Sequence, residues 1–188
     1  MIKVVRYGFS FVFFLASCFY ASTQTPDAVP LMPSKDALVK FLVKAKKSTY
    51  ASQGDAATVK RVLLPGTHQL EFSDGPFFYR DIYVGSATFA GQEIVYYAGK
   101  PVWSMSYAGD IPQEVAKEDV EVLVKLLHKA LMNVPESNPY RGPSEIKDGA
   151  YTYTNHAGGS FGSFFGEEEI CRDGTVVYKL HYEGGLLR

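Results

Sequence analysis

Two glutamates at matching places in the chain are the strongest candidates for chemistry. Glu93 and Glu168 each lie in an aromatic, alternating segment whose residues of the same parity are apolar. Both carboxylates are therefore expected to point toward the interior, where a carboxylate must find hydrogen-bond partners or take a raised pKa. Two such groups brought together would work as an acid–base pair or would ligate a cation. The alternative is structural, with each Glu paired to an Arg or to a neighbouring turn.

Arginines and aromatic residues form a second group of candidates, for ligand binding. Arg80 lies in the aromatic run FFYRDIY, and Arg141 lies in the segment PYRGP. Either guanidinium could hold an anionic ligand in a bidentate fork, or could neutralise one of the two glutamates instead. Trp103 and Tyr107 could line a pocket for a planar or sugar-like ligand, although aromatic residues that alternate along a strand commonly belong to the core.

The sequence contains no pattern typical of a metal or cofactor site. None of the four histidines is paired with another His or Cys at ligand spacing, so no zinc site is predicted. The glycine-rich segment 158–162 lacks the Lys-Ser/Thr ending of a phosphate-binding loop and is predicted to be a flexible loop joining two strands. No Gly-x-Ser-x-Gly elbow occurs, so an α/β-hydrolase triad is not indicated.

The composition is that of one ordinary globular domain. The chain has 188 residues, of which 46% are hydrophobic and 21% are charged, which excludes disordered and low-complexity classes. It carries 19 basic and 20 acidic residues, for a net charge of -1. Because binding to nucleic acid by charge needs a basic excess, no nucleic-acid partner is predicted.

Two amphipathic helices and several antiparallel strands are expected to position the candidate residues. Ser34 can cap a first helix, and apolar residues at helical spacing predict a second helix over residues 112–133. Elsewhere apolar residues alternate with polar ones, as in half-buried antiparallel strands. Asp-Gly pairs at 74–75 and 148–149 predict hairpin turns, since Gly accepts a positive φ at no steric cost.

The two halves of the domain resemble each other in sequence. Residues 89–110 align with residues 164–185 without a gap, and the alignment pairs the two glutamates. The length of the match, with turns in register, favours an internal duplication over chance similarity among aromatic, glycine-rich strands. The predicted fold is α+β, with halves at 34–110 and 111–188, each a helix followed by an antiparallel meander of about four strands, and with the helices packed on the sheet.

The first residues carry an export signal. Two basic residues precede a short apolar run, and the sequence LASC follows at residues 15–18. This order resembles the signals of bacterial lipoproteins, in which a peptidase cuts before the Cys and its sulfur carries a diacylglycerol. The resemblance implies that residues 1–17 are a signal peptide and that Cys18 is lipidated. The alternative is an ordinary signal peptide cut near Ala21.

Lipidation would place the chain in the cell envelope. Residues 18–33 contain three prolines and are predicted to form a tether between the anchor and a single domain at 34–188. Phe19 follows the cysteine where an Asp would favour retention, so the resemblance to enterobacterial sorting implies the outer membrane, facing the periplasm. Without the lipid, the chain would be periplasmic or secreted. The predicted partner is the membrane, contacted through the lipid anchor.

From Leu38 onward the chain also resembles a bacterial domain family of unknown function. The resembling segments are FLVKA (41–45), TYA (49–51), YRDIY (79–83), GQE (91–93), PVWSMSY (101–107) and PYRGP (139–143). Relatives stand alone or resemble fusions behind a helix-turn-helix regulator, which suggests ligand sensing. The resemblance carries over no catalytic residues, and the export signal argues against a gene-regulatory role here.

Three functional hypotheses fit these features. The first is a binding module for a small molecule or an envelope protein, with its site near Arg80, Trp103, Tyr107 and Arg141. The second is an envelope hydrolase that uses the glutamate pair as acid and base, and the third is a structural envelope protein without a ligand. A deep polar pocket containing both glutamates would favour the enzyme, whereas an aromatic groove without them would favour binding.

Overall fold

Two helices and one sheet make up the part of the chain that the structure, a computed structural model, describes, which is residues 32–49 and 58–188. The predicted signal peptide, Cys18 and most of the predicted tether lie outside these residues. Neither described helix is both long and apolar enough to span a membrane. The elements are α1 (Lys35–Ser48), β1 (His68–Asp74), β2 (Phe77–Gly85), β3 (Thr88–Tyr97), β4 (Lys100–Asp110), α2 (Lys117–Met132), β5 (Glu145–Asp148), β6 (Tyr151–Ser160), β7 (Ser163–Arg172) and β8 (Thr175–Leu186).

The eight strands form one antiparallel sheet in the order β1-β2-β3-β4-β8-β7-β6-β5. Each half of the chain contributes a meander of four consecutive strands, and the two meanders meet where β4 pairs with β8. Helix α1 packs on β1 and β2, α2 packs on β6, and the two helices contact each other. The predicted α+β class, with helices on an antiparallel sheet, is confirmed.

The alternation along the strands separates an inner face, under the helices, from an outer face. On β4, Trp103, Met105 and Tyr107 are buried, whereas Ser104 and Ser106 lie on the outer face. The apolar stripes of α1 and α2 cover the inner face and bury Leu38, Leu42, Leu123, Leu127 and neighbouring residues. This burial of apolar area is the main stabilising contribution to the domain.

The N-terminus of α1 was predicted correctly, but that of α2 was not. The Ser34 hydroxyl accepts a hydrogen bond from the Ala37 amide at 3.2 Å, as an N-cap does. Helix α2 begins at Lys117, five residues after the predicted start at Pro112. The Ile111 amide donates to the Ala87 carbonyl at 3.0 Å, which ties this stretch to the preceding hairpin and delays the helix until after a turn.

The two meanders share irregular features as well as strand order. The register shifts between Val95 and Tyr96 in the first meander and between Ile170 and Cys171 in the second, at aligned positions. The following two-residue hairpin turns have positive φ at both central residues, 46° and 79° at residues 98–99 and 48° and 81° at residues 173–174. Such turns match the twist of the strands they join.

The glycine-rich segment 158–162 is not the flexible loop that was predicted. Its first three residues belong to β6, and Phe161 is buried and stacks on Tyr140. Gly159 has a φ of +89°, and a Cβ there would lie 2.4 Å from the Ser163 carbonyl oxygen. A close backbone approach, rather than flexibility, therefore explains a glycine at this position.

Candidate functional site

In the second half of the domain, Glu168 is fully buried and fully satisfied. The Arg141 guanidinium donates to its two oxygens from Nε (3.1 Å) and Nη2 (2.8 Å). The hydroxyls of Tyr153 and Tyr178 donate to the same carboxylate at 2.6 and 2.8 Å. A carboxylate that accepts four hydrogen bonds, two of them from a cation, is a rigid centre of the fold.

Next to this carboxylate lies a neutral amide with both ends satisfied. Asn155 faces Glu168 across β6 and β7, donates from Nδ2 to the Gly142 carbonyl at 2.8 Å, and accepts from the Tyr182 hydroxyl at 2.8 Å. Tyr182 reaches Asn155 by lying across Gly166, where a Cβ would approach the ring to 2.2 Å. The glycine is therefore needed for this hydrogen bond to form.

In the first half, the aligned glutamate has fewer hydrogen-bond partners. Glu93 is buried on β3 and pairs with the buried ammonium of Lys46, from α1. Tyr79 and Trp103 occupy the positions that Tyr153 and Tyr178 hold around Glu168. The Tyr79 hydroxyl and the Trp103 indole N–H are buried, yet neither has a hydrogen-bond partner among the described residues.

Burial and neighbouring charges shift the pKa values of Tyr79 and Lys46. Burial, followed by the charge of Glu93, raises the pKa of Tyr79 well above its usual value. Burial also lowers the pKa of Lys46, which Glu93 opposes and Arg141 reinforces. The first half thus keeps a buried cation and two unsatisfied donors where the second half has a saturated network.

Asp81 is the residue that sets the first half apart from the second. It is 2% exposed, faces Glu93 across β2 and β3, and stands where the second half has Asn155. Its carboxylate accepts a hydrogen bond from the Tyr107 hydroxyl at 2.9 Å, and Tyr107 lies across Gly91 as Tyr182 lies across its glycine. Burial, and then repulsion from Glu93, raise the pKa of Asp81 to about 7.

A cavity of about 270 Å³ opens above Asp81, between α2 and the inner face of the sheet. Asp81, Tyr107, Arg141 and Tyr178 are the buried residues that bring polar groups to its lining, and His68, Tyr83 and Ser86 add less buried ones. Apolar side chains from both layers supply most of the remaining surface. His68 and Tyr83 stack on each other along its edge, with ring centroids 4.8 Å apart. A small apolar cavity with a few convergent polar groups is the usual form of a ligand site.

The structure brings together only some of the residues predicted to bind a ligand. Tyr107 and Arg141 line the cavity, although the Arg141 fork holds Glu168 rather than an open anion site. Arg80 lies on the outer face and contacts Glu71 at 2.8 Å, away from both buried glutamates. Trp103 is fully buried and stacks on Phe164 at 5.7 Å, so it belongs to the core.

The predicted catalytic pair, Glu93 and Glu168, does point inward, as the strand parity indicated. Each carboxylate has its own cation, Lys46 or Arg141, and neither lines the cavity. The carboxyl group that does line it, Asp81, was not singled out from the sequence. Its parity with Tyr79 on β2 and its alignment with Asn155 were signals that could have found it.

Lys46 was missed as well, although it occupies a position on the apolar stripe of α1, four residues after Leu42. A lysine at such a position signals a buried charge in need of a partner. Among residues 32–49 and 58–188, no cluster of three His, Cys, Asp or Glu side chains is arranged to hold a metal.

A larger groove, of about 850 Å³, runs beside the N-terminus of α1. It is lined by exposed polar residues such as Lys35 and Ser160 and by the half-buried Asn138, and it contains none of the five buried charged side chains. The smaller cavity above Asp81 is therefore the better candidate, because that is where buried polar chemistry reaches open space.

Comparison with known proteins places this geometry in a family. No curated protein and no solved structure matches the chain. A family model does match, over residues 81–187, a stretch that includes Asp81, Glu93, Arg141 and Glu168. That match covers more than half of the chain, which therefore belongs to the family described as Domain of unknown function (DUF5680).

Proposed function

We propose that this chain is a binding module whose ligand is a small molecule held in the cavity above Asp81. One observation carries the proposal: Asp81 and Tyr107, which are buried and hydrogen-bonded to each other, line a cavity whose surface is largely apolar. A ligand with an apolar body and one polar group fits such a surface. The resemblance to domains fused behind regulators, which suggests ligand sensing, agrees with this role.

The proposal can be tested by filling the cavity. The full chain is screened by thermal shift against small cationic, neutral and anionic aromatic compounds, and binding is confirmed by calorimetry. Val124 lines the cavity and is 40% exposed, so Val124→Trp is expected to block binding without emptying the core. Val122, on the same helix and 41% exposed, does not line the cavity, so Val122→Trp is the matched control.

Hits that Val124→Trp abolishes and Val122→Trp retains would support the module. Hits that neither substitution affects would place binding elsewhere and contradict the proposal. A folded chain that binds no member of the panel would favour the third hypothesis, a structural envelope protein.

A hydrolase remains the second candidate, with acid–base chemistry moved from the glutamate pair to Asp81. The supporting observation is a carboxyl group with a pKa of about 7 at the base of a cavity and next to Glu93. General acid–base catalysis is most effective when the pKa lies near the working pH. An ester or glycoside that turns over in the wild type but not in Asp81→Asn would favour this candidate.

We also propose that the two meanders arose by internal duplication and then diverged. The supporting observations are the aligned register shifts, the aligned positive-φ turns and the two tyrosines that cross glycines to reach β2 and β6. Under this proposal the second half kept the satisfied network around Glu168, while the first half became the ligand site.

For location, we propose a lipoprotein anchored in the outer membrane through Cys18 and facing the periplasm. The support is the signal sequence alone, with its LASC ending and the following Phe19. Growth of an expressing bacterium with a labelled fatty acid should label the wild type and a Cys171→Ala variant. Cys18→Ala should lose the label, and a labelled Cys18→Ala chain would contradict the assignment.

A further inference from the structure

Five charged side chains are buried among residues 32–49 and 58–188, and their charges do not balance. Three are carboxylates (Asp81, Glu93 and Glu168) and two are cations (Lys46 and Arg141). Burying an unbalanced charge is costly, so the cluster needs one further positive charge or a bound proton.

The imbalance falls on Asp81. Glu93 pairs with Lys46, and Glu168 takes two hydrogen bonds from Arg141. In the part of the chain that the structure describes, Asp81 has no salt bridge, and the Tyr107 hydroxyl is the one hydrogen-bond donor to its carboxylate. Of the three buried carboxylates in the described part of the chain, Asp81 alone lines the cavity.

The walls of the cavity suit a cation with an apolar body. Phe89, Tyr107 and Tyr178 contribute aromatic rings to the lining, where the Arg141 guanidinium already lies 5.9 Å from the centroid of the Tyr107 ring, and side chains of α2 supply aliphatic surface. Arg141 also lines the cavity, but the charge of Glu168 compensates its guanidinium. The volume of about 270 Å³ suits a small amine.

We propose that the cavity binds a small organic cation, an amine with an aromatic or aliphatic body, whose charge pairs with the Asp81 carboxylate. This inference rests on the proposed function and names the class of its ligand. In the absence of a cation, a proton takes the same place on Asp81, so the ligand and the proton compete.

The competition gives the site a defined pH dependence. Tyr79 and Tyr83 lie near Asp81 on the same strand, and His68 from β1 lines the same cavity. The groups on other elements that shift the pKa of Asp81 are Glu93 from β3, Tyr107 from β4, Lys46 from α1 and Arg141 from the loop before β5. Of these, Glu93 raises the pKa of the Asp81 carboxyl, while the other three lower it, and burial brings it to about 7. Affinity for a permanently charged amine should therefore rise about tenfold between about pH 6 and about pH 8, as Asp81 releases its proton.

The test uses the full chain and three probes of matched shape. Phenethylamine, phenethyl alcohol and phenylacetate share an aromatic body and differ in charge, and benzylamine and tetraethylammonium extend the cationic set. Binding is measured by isothermal titration calorimetry at both pH values, in two buffers of different ionisation enthalpy. The variants are Asp81→Asn and, as the matched control, Asp148→Asn, which neutralises an exposed carboxylate at a hairpin turn.

The expected result is that amines bind, that the alcohol binds at least tenfold more weakly, and that binding near the lower pH releases close to one proton. Asp81→Asn should lose the preference for amines while Asp148→Asn keeps it. If the alcohol or phenylacetate binds as tightly as the amine, or if Asp81→Asn keeps the preference, the cation assignment is wrong but the cavity is still a binding site. If Val124→Trp leaves every interaction unchanged, the cavity itself is not the site and both proposals fail.

Discussion

Replacing Glu168 with Gln should destabilise the domain more than any other neutralisation of a carboxylate. The substitution removes the charge that holds Arg141 and weakens the two tyrosine hydrogen bonds at the same centre. Arg141 is 4% exposed and cannot release its proton, so its charge would stay buried without the carboxylate that balances it. Breaking a buried pair in this way costs about 3–5 kcal/mol of the free energy of unfolding.

The corresponding change in the first half, Glu93→Gln, should cost less, and the cost should depend on pH. Its partner is Lys46, which can lose its proton, and the expected loss near neutral pH is about 1–3 kcal/mol. Burial lowers the pKa of folded Lys46, and loss of Glu93 would lower it further, while the unfolded lysine titrates near 10.5. Between these pKa values the unfolded chain binds more protons than the folded one, so the variant regains stability as the pH rises.

Urea unfolding followed by tryptophan fluorescence measures both effects. Trp103 is the only tryptophan of the chain and is fully buried, so its emission reports loss of the core. Glu145→Gln, at a side chain that is 53% exposed, is the control and should stay within about 0.5 kcal/mol of the wild type. The reasoning is refuted if Glu168→Gln costs under about 1 kcal/mol, or if the Glu93→Gln deficit is equally large and does not change with pH.

Three further substitutions follow from the same geometry. Folded Asp81, with a pKa of about 7 against 3.8 in its ordinary state, holds its proton more tightly than the unfolded chain does, so wild-type stability should fall as the pH rises between these values. Asp81→Asn should abolish that fall, and its free energy of unfolding in urea should exceed that of the wild type by roughly 2–4 kcal/mol at about pH 8. If stability depends on pH in the same way in the variant and the wild type, the raised pKa of Asp81 is contradicted. Asn155→Asp should lower the free energy of unfolding by about 2 kcal/mol or more in the same assay, because a carboxylate cannot donate to the Gly142 carbonyl. An unchanged free energy would show that this hydrogen bond does not stabilise the fold. Gly166→Ala should lower the free energy of unfolding by about 1–3 kcal/mol, and with it the melting temperature, since the added Cβ would clash with the Tyr182 ring. Gly162→Ala is the control and should be tolerated, because no atom lies nearer than 3.8 Å to its Cβ position.

The sequence was sufficient to predict most of the fold, because the fold depends on local patterns. Alternation with period two identified the inner face of β4 and β8, and Asp-Gly pairs marked hairpin turns that the structure contains. The start of α2 was wrong because a tertiary contact, from the Ile111 amide to the Ala87 carbonyl, holds the chain in a turn there. The prediction of a flexible loop at residues 158–162 was wrong because the segment extends β6, and Gly159 is required there by its positive φ and its close approach to the Ser163 carbonyl.

The candidate site was harder to predict, since it depends on pairing across elements. Parity correctly placed Glu93 and Glu168 inside, but it could not say which cation each would meet. The partners come from outside the sheet, Lys46 from α1 and Arg141 from the loop before β5. Only the register of β2 against β3 brings Asp81 opposite Glu93, whose charge adds to the effect of burial in raising the pKa of Asp81.

The contrast between the two halves is the strongest reason to place function in the first. The same framework of strands can bury a glutamate with every polar atom satisfied, as the Glu168 network does. Around the aligned Glu93 the first half instead has a lysine from α1, and at positions aligned with the second half it has a second carboxylate in Asp81 and two donors, from Tyr79 and Trp103, without partners among the described residues. Because an asparagine at position 81 would fit the tyrosine as Asn155 does and would remove a buried charge, stability of the fold does not explain the aspartate. Local residue choices that cost stability in an otherwise consistent fold are typical of functional sites, which supports the proposed ligand site in the cavity that Asp81 lines.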